Sequence, residues 1–264
     1  MSGASDILLG AAVAVASLML ATWAVSLVVR DASIVDLVWG AGFVLVAWVA
    51  RSLGGSDAPH AWLLVVLATL WGVRLTAHLA RRNLGKGEDF RYVRMREKHG
   101  ERFPLVSLGT VFGLQGVLMW VVALPLQLGQ RPGDRGIGPL AVLGVVLWTL
   151  GASFEAVGDR QLARFRRDPA NAGRVLDTGL WAWTRHPNYF GDACVWWGIA
   201  LVAADAGAWV GMLGAAVMNV LLVRVSGAAL LERSLRRTKP GYADYVARTP
   251  RFVPRPPRRR GAAA

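Results

Sequence analysis

Cysteine is nearly absent from this chain of 264 residues, which contains one, Cys194. A single thiol cannot form an intramolecular disulfide, and a thiolate metal site, which needs several cysteines, is disfavoured. The chain also lacks a Gly-x-Gly-x-x-Gly fingerprint and a phosphate-binding loop that ends in Lys-Ser/Thr. Any nucleotide must therefore be bound without a Rossmann or P-loop module.

Long polar stretches are missing as well, so no segment of the chain is suited to form a separate soluble domain. The two longest polar stretches, residues 81–107 and 158–186, are too short to enclose a hydrophobic core. Both are predicted to form amphipathic helices and loops on a membrane surface. We therefore treat residues 1–264 as a single membrane domain.

Apolar residues dominate the rest of the chain. They make up 54% of it, the mean hydropathy is +0.39, and there are twelve tryptophans. Apolar runs that approach the roughly 20 residues required to cross a bilayer recur along the sequence. This pattern predicts an all-α polytopic membrane bundle of about seven transmembrane helices, over residues 7–29, 34–51, 60–80, 108–128, 138–157, 188–205 and 207–227.

Basic residues outnumber acidic ones, with 30 Lys and Arg against 17 Asp and Glu and a net charge of +13. They are concentrated in residues 81–102, 158–186 and 228–264, which lie on one side of a seven-helix bundle. The positive-inside rule makes that side cytoplasmic, with the N-terminus outside and the C-terminus inside. The distribution thus favours a topology signal over nucleic-acid binding, and the basic tail at 257–264 is expected to contact anionic headgroups.

Polar side chains cluster at the start of the predicted sixth span, where residues 184–192 read TRHPNYFGD. Desolvating them beside lipid costs free energy unless a ligand, water or another side chain satisfies them, which predicts a polar site. Pro187 is typical of a first helical turn, whose free N–H groups favour an anion such as phosphate. The alternative is an interfacial cap that only anchors the helix.

Two ionisable residues lie within predicted apolar helices, Asp36 in the second span and Arg74 in the third. A structural ion pair between them would lock adjacent helices, whereas a functional Asp36 would line a cavity and donate a proton or a hydrogen bond. Trp39 and Trp71 share their helical faces and would then wall an apolar ligand cavity. Packed core tryptophans are the commoner outcome.

The fifth predicted span ends with Glu155 and Asp159 on one helical face, followed by the basic run from Arg160 to Arg167. Carboxylates can hold ribose hydroxyls and arginines can hold phosphates, so this combination is suited to a nucleotide. It is equally suited to an interfacial helix whose charges face water and headgroups. Its convergence with the 184–192 cluster on one membrane face favours a ligand.

Two segments resemble the C-terminal region of the steroid 5α-reductase superfamily: GLWAWTRHPNYFGD at 179–192 and PGYADYVARTPRFVP at 240–254. The resemblance extends over roughly 145–256 and is weak before it. More closely, the whole chain resembles bacterial integral membrane proteins of unknown function that are described as steroid 5α-reductase-like. Isoprenylcysteine carboxyl methyltransferases share the Arg-His-Pro-x-Tyr and terminal Tyr-x-x-Tyr patterns.

The resemblance implies that residues 108–256 bind NADPH and that residues 1–107 supply substrate-side helices. Asn188, Asp192, Asp159 and Arg166 match the cofactor contacts of the reductases, with Asp for Glu at 192, whereas Glu155 stands where the reductases have asparagine. The cofactor-binding residues predicted on this basis are Glu155, Asp159, Arg166, Arg174, Arg185, His186, Asn188, Tyr189, Asp192 and Tyr245. No metal site is predicted.

The implied reaction is hydride transfer to the C=C bond of an apolar enone, which is steroid-like, isoprenoid or another lipid, with a buried acid polarising the carbonyl. The Gln-Glu and Tyr proton relay of the reductases is missing as such. Asp36 falls near the carboxylate position, so the predicted catalytic residues are Asp36, Arg74 as its cation, and Tyr92 as the next proton donor. The expected location is a bacterial inner membrane, with the active site facing the cytoplasm. The expected partners are the bilayer and an apolar small molecule, and not nucleic acid.

Two alternatives stay open. The Glu-Glu-x-x-Leu motif of the methyltransferases reads Leu231-Glu232-Arg233-Ser234-Leu235 here, so an S-adenosylmethionine-dependent methyltransferase would keep one of its two glutamates. S-adenosylmethionine has no phosphate and carries a sulfonium cation, so the arginine-rich segments fit NADPH better. The other alternative is a non-catalytic membrane protein that binds lipid or nucleotide but has lost the proton relay.

Overall fold

The computed structural model describes residues 3–130, 136–225, 232, 235 and 239–256. Within these residues every regular element is a helix and none is a strand, which confirms the predicted all-α class. The predictions for the tail at 257–264 and for the last residues of the seventh span lie outside the described residues.

The described α-helices have the following bounds: α1 (Ala4–Val29), α2 (Ile34–Gly54), α3 (Pro59–Asn83), α4 (Phe90–His99), α5 (Phe103–Ser107), α6 (Leu114–Val122), α7 (Leu124–Leu128), α8 (Pro139–Arg167), α9 (Leu180–Trp183), α10 (Pro187–Asp205), α11 (Met212–Val220) and α12 (Tyr242–Arg248). Short 3₁₀ turns cover Gly100–Arg102, Pro169–Asn171 and Trp209–Gly211. Two π-helical turns cover Leu108–Gly113 and Leu221–Val225.

Five described helical stretches are long and apolar enough to cross a membrane: Ala4–Val29, Ile34–Gly54, Pro59–Asn83, Phe90–Val122 and Pro139–Arg167. They coincide with the first five predicted spans. The fourth stretch begins well before residue 108, because α4 and α5 continue through a π-helical turn into α6. The last two predicted spans coincide with α10 and with the shorter apolar helix Trp209–Arg224. The total of seven spans and their orientation stay predictions.

The chain divides into two compact units. The described residues of Met1–Val142 and Ile199–Gly214 form unit 1, and those of Leu143–Gly198 and Ala215–Ala264 form unit 2. Each unit contains some of the site residues that were predicted from the sequence.

Helices α2 and α3 pack closely in unit 1 through two facing glycines. A Cβ atom added at Gly72 would lie 2.6 Å from the Gly40 carbonyl oxygen, and one added at Gly40 would clash with the Gly72 carbonyl. Small residues at a helix interface allow two backbones to approach this closely. The contact fixes α2, and with it Asp36 in the first turn of that helix.

Helices α8 and α10 pack in unit 2 through a second set of glycines. A Cβ atom added at Gly191 would lie 2.5 Å from the Gly151 carbonyl oxygen, and one added at Gly198 would lie 2.5 Å from the Gly144 carbonyl oxygen. The close approach holds the C-terminal turns of α8 beside the first turns of α10. The carboxylates at the end of α8 are therefore brought to the polar segment that begins α10.

A buried contact between a histidine and a carboxylate joins three parts of unit 1. His60, in the first turn of α3, lies 2.8 Å from Asp205 at the end of α10, measured from Nε2 to Oδ2. The same Asp205 oxygen accepts the Gly138 N–H at 2.7 Å, directly before α8. Both side chains are almost fully enclosed. Their contact stabilises the junction of these three elements.

Candidate functional site

The polar segment before and at the start of α10 is held against the C-terminal segment of the chain. The Arg185 N–H donates to the Pro250 carbonyl at 2.9 Å, and the Thr184 hydroxyl donates to the Phe252 carbonyl at 2.8 Å. Pro187 begins α10, where the N–H that proline lacks would have had no helical partner. The two sequence segments that carry the resemblance therefore form one structure within unit 2.

Glu232 is the centre of a buried ionic cluster with Arg185, His186 and Arg251. Its Oε1 atom lies 3.0 Å from His186 Nε2, 3.1 Å from Arg185 Nε and 3.8 Å from Arg251 Nε. Burial raises the pKa of Glu232, but the hydrogen bond with His186 and the charges of Arg185 and Arg251 lower it more, so the pKa lies below its ordinary value. Arg185 and His186, predicted to contact a cofactor, thus have a carboxylate partner within the protein.

Glu232 is absent from the set of site residues predicted from the sequence. The signal that marks it is the partial Glu-Glu-x-x-Leu match at 231–235, in which Glu232 is the one glutamate present. Its partner His186 is 46 residues away along the chain, so spacing alone does not connect them. A buried carboxylate with cationic partners is itself a candidate functional group.

A cavity of about 260 Å³ lies within unit 2 and is lined by the end of α8, the loop that follows it, and α12. Four cationic side chains line it, from Arg166, Arg174, Arg185 and Lys239. The other lining residues are Leu162, Phe165, Asp168, Pro169, Asn171, Ala172, Val175, Leu176, Trp181, His186, Leu235, Tyr242 and Tyr245. Asp168 lines the cavity as a carboxylate and Glu232 pairs with Arg185 beside it, so the four cations still outnumber the carboxylates and favour an anionic ligand.

Tyr245 forms a fixed part of the cavity wall. Its hydroxyl donates to the Trp181 carbonyl at 2.6 Å, and its ring lies against Tyr242 with centroids 5.8 Å apart. Burial raises the pKa of Tyr245, so the phenol stays neutral at physiological pH. At the end of α12, Arg248 lies 3.3 Å from Asp177, which ties the helix to the loop after α8. The wall is thereby held at the middle and at the end of α12.

The remaining predicted cofactor residues form a second group where α8 meets α10: Glu155, Asp159, Asn188, Tyr189 and Asp192. Asn188 Nδ2 donates to Asp159 Oδ1 at 3.4 Å, and Glu155 and Asp159 are both buried. The Tyr189 ring stacks on His186, with centroids 5.3 Å apart. This group does not belong to the cavity lining, which contains Arg166, Arg174, Arg185, His186 and Tyr245 of the predicted set.

In unit 1, Asp36 in the first turn of α2 meets Tyr92 in the first turn of α4. The Tyr92 hydroxyl donates to Asp36 Oδ1 at 3.4 Å, and Arg91 Nη2 donates to Asp36 Oδ2 at 3.2 Å. Gln115 Nε2 donates to the Tyr92 hydroxyl at 3.4 Å. Tyr92 is buried and Asp36 is half-buried. We call these four residues the Asp36 cluster.

The structure pairs Asp36 with Arg91, a partner that the sequence analysis does not suggest. Among the described residues, the carboxylate of Asp36 has Arg91 and Tyr92 as its hydrogen-bond partners. The physical reason is that Asp36 lies in the first turn of α2, where the loop before α4 brings Arg91 within reach. Arg74 lies in the interior of α3 and is not part of the Asp36 cluster.

Trp39 and Trp71 both contact Phe43. The ring centroids lie 5.4 Å apart for Trp39 and 5.7 Å apart for Trp71. Trp71 is almost completely buried, whereas Trp39 is half-buried. The role of the two tryptophans in an apolar ligand cavity stays a prediction.

Gln115 is a candidate functional residue that the sequence-based prediction does not contain. It is the second residue of α6 and follows directly on the π-helical turn Leu108–Gly113. A π turn inserts an additional residue and so changes which face the following helix presents, and such turns are frequent at functional sites. The available signal is an amide side chain within an almost entirely apolar stretch.

Comparisons with known proteins show which proteins this sequence is similar to. The chain is 26% identical over 269 residues to an uncharacterised protein of Schizosaccharomyces pombe, covering 88% of this chain and 75% of that protein. It is 27% identical over 110 residues to a probable O-methyltransferase of Ustilaginoidea virens, covering 41% and 38% of the two chains. No solved structure matches.

A family model described as "Protein of unknown function (DUF1295)" matches residues 22–249. The match includes the Asp36 cluster, Glu232 and every residue that lines the cavity of unit 2. Since it covers most of the sequence, the chain belongs to the DUF1295 family of steroid 5α-reductase-like membrane proteins.

Proposed function

We propose that this protein is an NADPH-dependent reductase that reduces the C=C bond of an apolar enone in the membrane. The observation that carries the proposal is the cavity of unit 2 with its four cationic side chains. NADPH carries a pyrophosphate and a 2′-phosphate, and guanidinium and ammonium groups are the side chains best suited to hold such groups. Membership of a steroid 5α-reductase-like family supports the same class of reaction.

The residues of the cavity fit the phosphate-bearing part of a nucleotide. Arg166, Arg174 and Lys239 would hold phosphate oxygens, while Arg185 is shared with Glu232. A volume of about 260 Å³ is slightly below the range of roughly 300–1,000 Å³ that is typical of whole ligand pockets. The cavity therefore suits one end of NADPH rather than the complete molecule.

Within unit 1, the Asp36 cluster is our proposed source of the acid, and the chemistry of the cluster alone supports this part of the proposal. When bound, the nucleotide supplies the hydride that is added to the β-carbon of the enone. Tyr92 polarises the enone carbonyl, because its hydroxyl proton can be shared with a carbonyl oxygen as it is now shared with Asp36. Asp36, fixed by Arg91, accepts the phenol proton before the enone binds and so orients the phenol; the same single proton is then turned from Asp36 to the carbonyl oxygen. Gln115 donates to the phenol oxygen and stabilises the negative charge that develops there as the proton moves away.

We further propose that the enone is steroid-like, isoprenoid or another lipid, which reaches the protein from the bilayer in which it is dissolved. The site is proposed to face the cytoplasm of a bacterial inner membrane, because basic segments such as 81–102 and 158–186 are typical of cytoplasmic loops.

An S-adenosylmethionine-dependent methyltransferase is the second candidate function. The observation that favours it is the similarity to the probable O-methyltransferase, which extends over 41% of this chain. Glu232, the one glutamate left of the methyltransferase motif, is buried beside the cavity-lining Arg185 and His186. We rank this function second because a sulfonium cation is repelled by four cationic side chains, whereas phosphates are attracted.

Titration of purified protein in detergent with NADPH, NADH and S-adenosylmethionine tests the proposal. NADPH should raise the unfolding temperature and bind more tightly than NADH, and S-adenosylmethionine should do neither. Arg174→Ala should weaken NADPH binding by about 1.5–3 kcal/mol, which is typical of a hydrogen bond to a charged group. Arg164→Ala is the matched control, since Arg164 is an exposed arginine of the same unit outside the cavity lining.

The outcomes separate the three candidate functions. Stabilisation by S-adenosylmethionine alone would replace the reductase by the methyltransferase. NADPH binding without turnover of any enone would identify the non-catalytic alternative. Equal loss of NADPH affinity in the Arg174 and Arg164 variants would show that the cavity is not the nucleotide site.

A further inference from the structure

Two short loops of unit 1, one before α2 and one before α4, are joined by hydrogen bonds. The Ala32 N–H donates to Glu88 Oε1 at 2.8 Å, and the Asp89 N–H donates to the Ser33 hydroxyl at 3.3 Å. Ala32 and Ser33 directly precede α2, and Glu88 and Asp89 directly precede α4. We call these two contacts the loop clasp.

Arg96 anchors the clasp to the body of α4. Its Nη2 donates to Glu88 Oε1 at 2.8 Å and its Nε donates to Glu88 Oε2 at 3.1 Å, while the guanidinium lies 4.3 Å from the centroid of the Phe103 ring. A bidentate arginine–carboxylate contact fixes orientation as well as distance. Burial raises the pKa of Glu88, but the Arg96 and Ala32 hydrogen bonds lower it more, so the carboxylate is ionised at neutral pH.

The clasp lies one helical turn from both members of the Asp36 and Tyr92 pair. Asp36 follows Ala32 by four residues, and Tyr92 follows Glu88 by four residues. Since an α-helical turn contains 3.6 residues, each side chain of the pair projects one turn beyond the point where its helix is tied to the other. A change in the distance between the starts of α2 and α4 therefore changes the distance between the side chains of Asp36 and Tyr92.

We infer that Glu88 is a positioning residue for the proposed proton donor: by joining the starts of α2 and α4, it sets the distance between the Tyr92 hydroxyl and Asp36. The role of Glu88 in catalysis rests on the proposed reductase function. Its effect on the distance between Tyr92 and Asp36 does not. The Tyr92 to Asp36 distance is 3.4 Å, which is long for a hydrogen bond between oxygens. A displacement of α4 by a fraction of an ångström therefore decides whether the bond exists.

Three variants separate positioning from general stability. Glu88→Ala removes the contacts with Ala32 and Arg96 together. Glu88→Gln keeps an oxygen that can accept the Ala32 N–H but loses the ionic contact with Arg96. The control Asp57→Asn makes the same loss of charge in another loop of unit 1, where Asp57 is exposed and pairs with Arg51 at 2.7 Å.

The primary measurement does not depend on activity. The chain contains four tyrosines, so labelling with ¹³Cζ-tyrosine gives a simple NMR spectrum in which Tyr92→Phe identifies the Tyr92 signal. The second measurement is kcat and KM for NADPH oxidation with a 3-oxo-4-ene steroid as the probe enone. Thermal unfolding checks that each variant is folded.

We expect Glu88→Ala to shift the Tyr92 signal and to lower kcat at least tenfold with an unchanged KM for NADPH. A displacement of about 1 Å in a positioned group can cost roughly 10²-fold in rate. Glu88→Gln should show a smaller shift and a smaller loss, and Asp57→Asn should show neither.

Each result decides one part of the inference. An unmoved Tyr92 signal in folded Glu88→Ala protein would overturn it, whatever the turnover. A shifted signal in a protein that reduces no enone would leave the positioning of Tyr92 by Glu88 intact and refute the reductase function instead. If Glu88→Ala does not fold, the Tyr92 signal of Glu88→Gln decides in the same way.

Discussion

Replacing Glu232 by glutamine tests how strongly the buried ionic cluster stabilises unit 2. The amide keeps an oxygen to which His186 can donate, but the negative charge that faces Arg185 and Arg251 is lost. Arg185 is only 8% exposed, and removing one partner of a buried pair costs about 3–5 kcal/mol. Arg185 keeps the Val246 carbonyl as an acceptor at 3.3 Å, so we expect the lower part of that range, about 3 kcal/mol.

Asp177→Asn is the matched control, because it removes the same charge from a more exposed pair in the same unit. The side chains of Arg248 and Asp177 are 27% and 35% exposed, and such pairs contribute about 0–1 kcal/mol. Thermal unfolding can be followed by tryptophan fluorescence in detergent. Since 1 kcal/mol corresponds to roughly 2–4 °C for a chain of about this size, Glu232→Gln should lower the midpoint by roughly 6–12 °C. Asp177→Asn should lower it by less than about 4 °C.

Two results would refute this reasoning in different ways. If Glu232→Gln unfolds no lower than Asp177→Asn, the cluster does not act as a stabilising ion pair. If Glu232→Gln unfolds above the wild-type protein, the cost of desolvating the carboxylate exceeds its ionic gain, as happens when some buried ion pairs are replaced by neutral groups.

Other measurements test the remaining parts of the structure. Because the pKa of Glu232 is held low in the folded protein, its contribution is present above the unfolded pKa, near 4.5, and is lost as the pH falls through the folded value. Denaturant unfolding should therefore show a loss of stability below about pH 4.5 that Glu232→Gln lacks. Tyr92→Phe should lower turnover by roughly 10²–10⁴-fold without changing NADPH affinity by titration; full activity would transfer the role of acid to Asp36, to be tested with Asp36→Asn. Gly151→Ala should lower the unfolding temperature, because its Cβ would lie 2.7 Å from a backbone nitrogen of α10. Gly109→Ala should not lower the unfolding temperature, because a Cβ atom there would have no neighbour within 4 Å. Equal unfolding temperatures of the Gly151→Ala and Gly109→Ala variants would contradict the close packing of α8 on α10.

The helices of the membrane domain could be predicted from the sequence because the thickness of a bilayer fixes the length of an apolar run. The first five predicted spans coincide with five apolar helical stretches. The beginning of the fourth stretch at Phe90 could not be predicted in this way, because α4 is polar and joins α6 through the short α5 and a π-helical turn. The polar helix α4 lacks the extended apolar pattern on which the prediction depends.

The candidate site could be predicted as a set of residue types, but the partners of those residues could not. A polar group at the start of a membrane helix needs a partner, which is a local requirement that the sequence displays at Arg185 and His186. Which group meets the requirement depends on the tertiary fold, and Glu232 is 46 residues further along the chain than His186. The predicted cofactor residues divide into a cavity lining and a second group at the contact of α8 with α10. This division also depends on the tertiary fold, so the sequence does not show it.

Asp36 shows the same limit within the N-terminal helices, where sequence position does not point to Arg91. Sequence position suggests Arg74 as a partner because α2 and α3 are consecutive helices, and they do pack closely through Gly40 and Gly72. A side chain in the first turn of a helix is nevertheless reached easily from the start of another helix, and here the first turn of α4 supplies Arg91. The carboxylate, phenol and amide of the Asp36 cluster thus come from α2, α4 and α6. The proposed proton relay is defined by the chemistry of its groups, so a search for fixed sequence positions overlooks it.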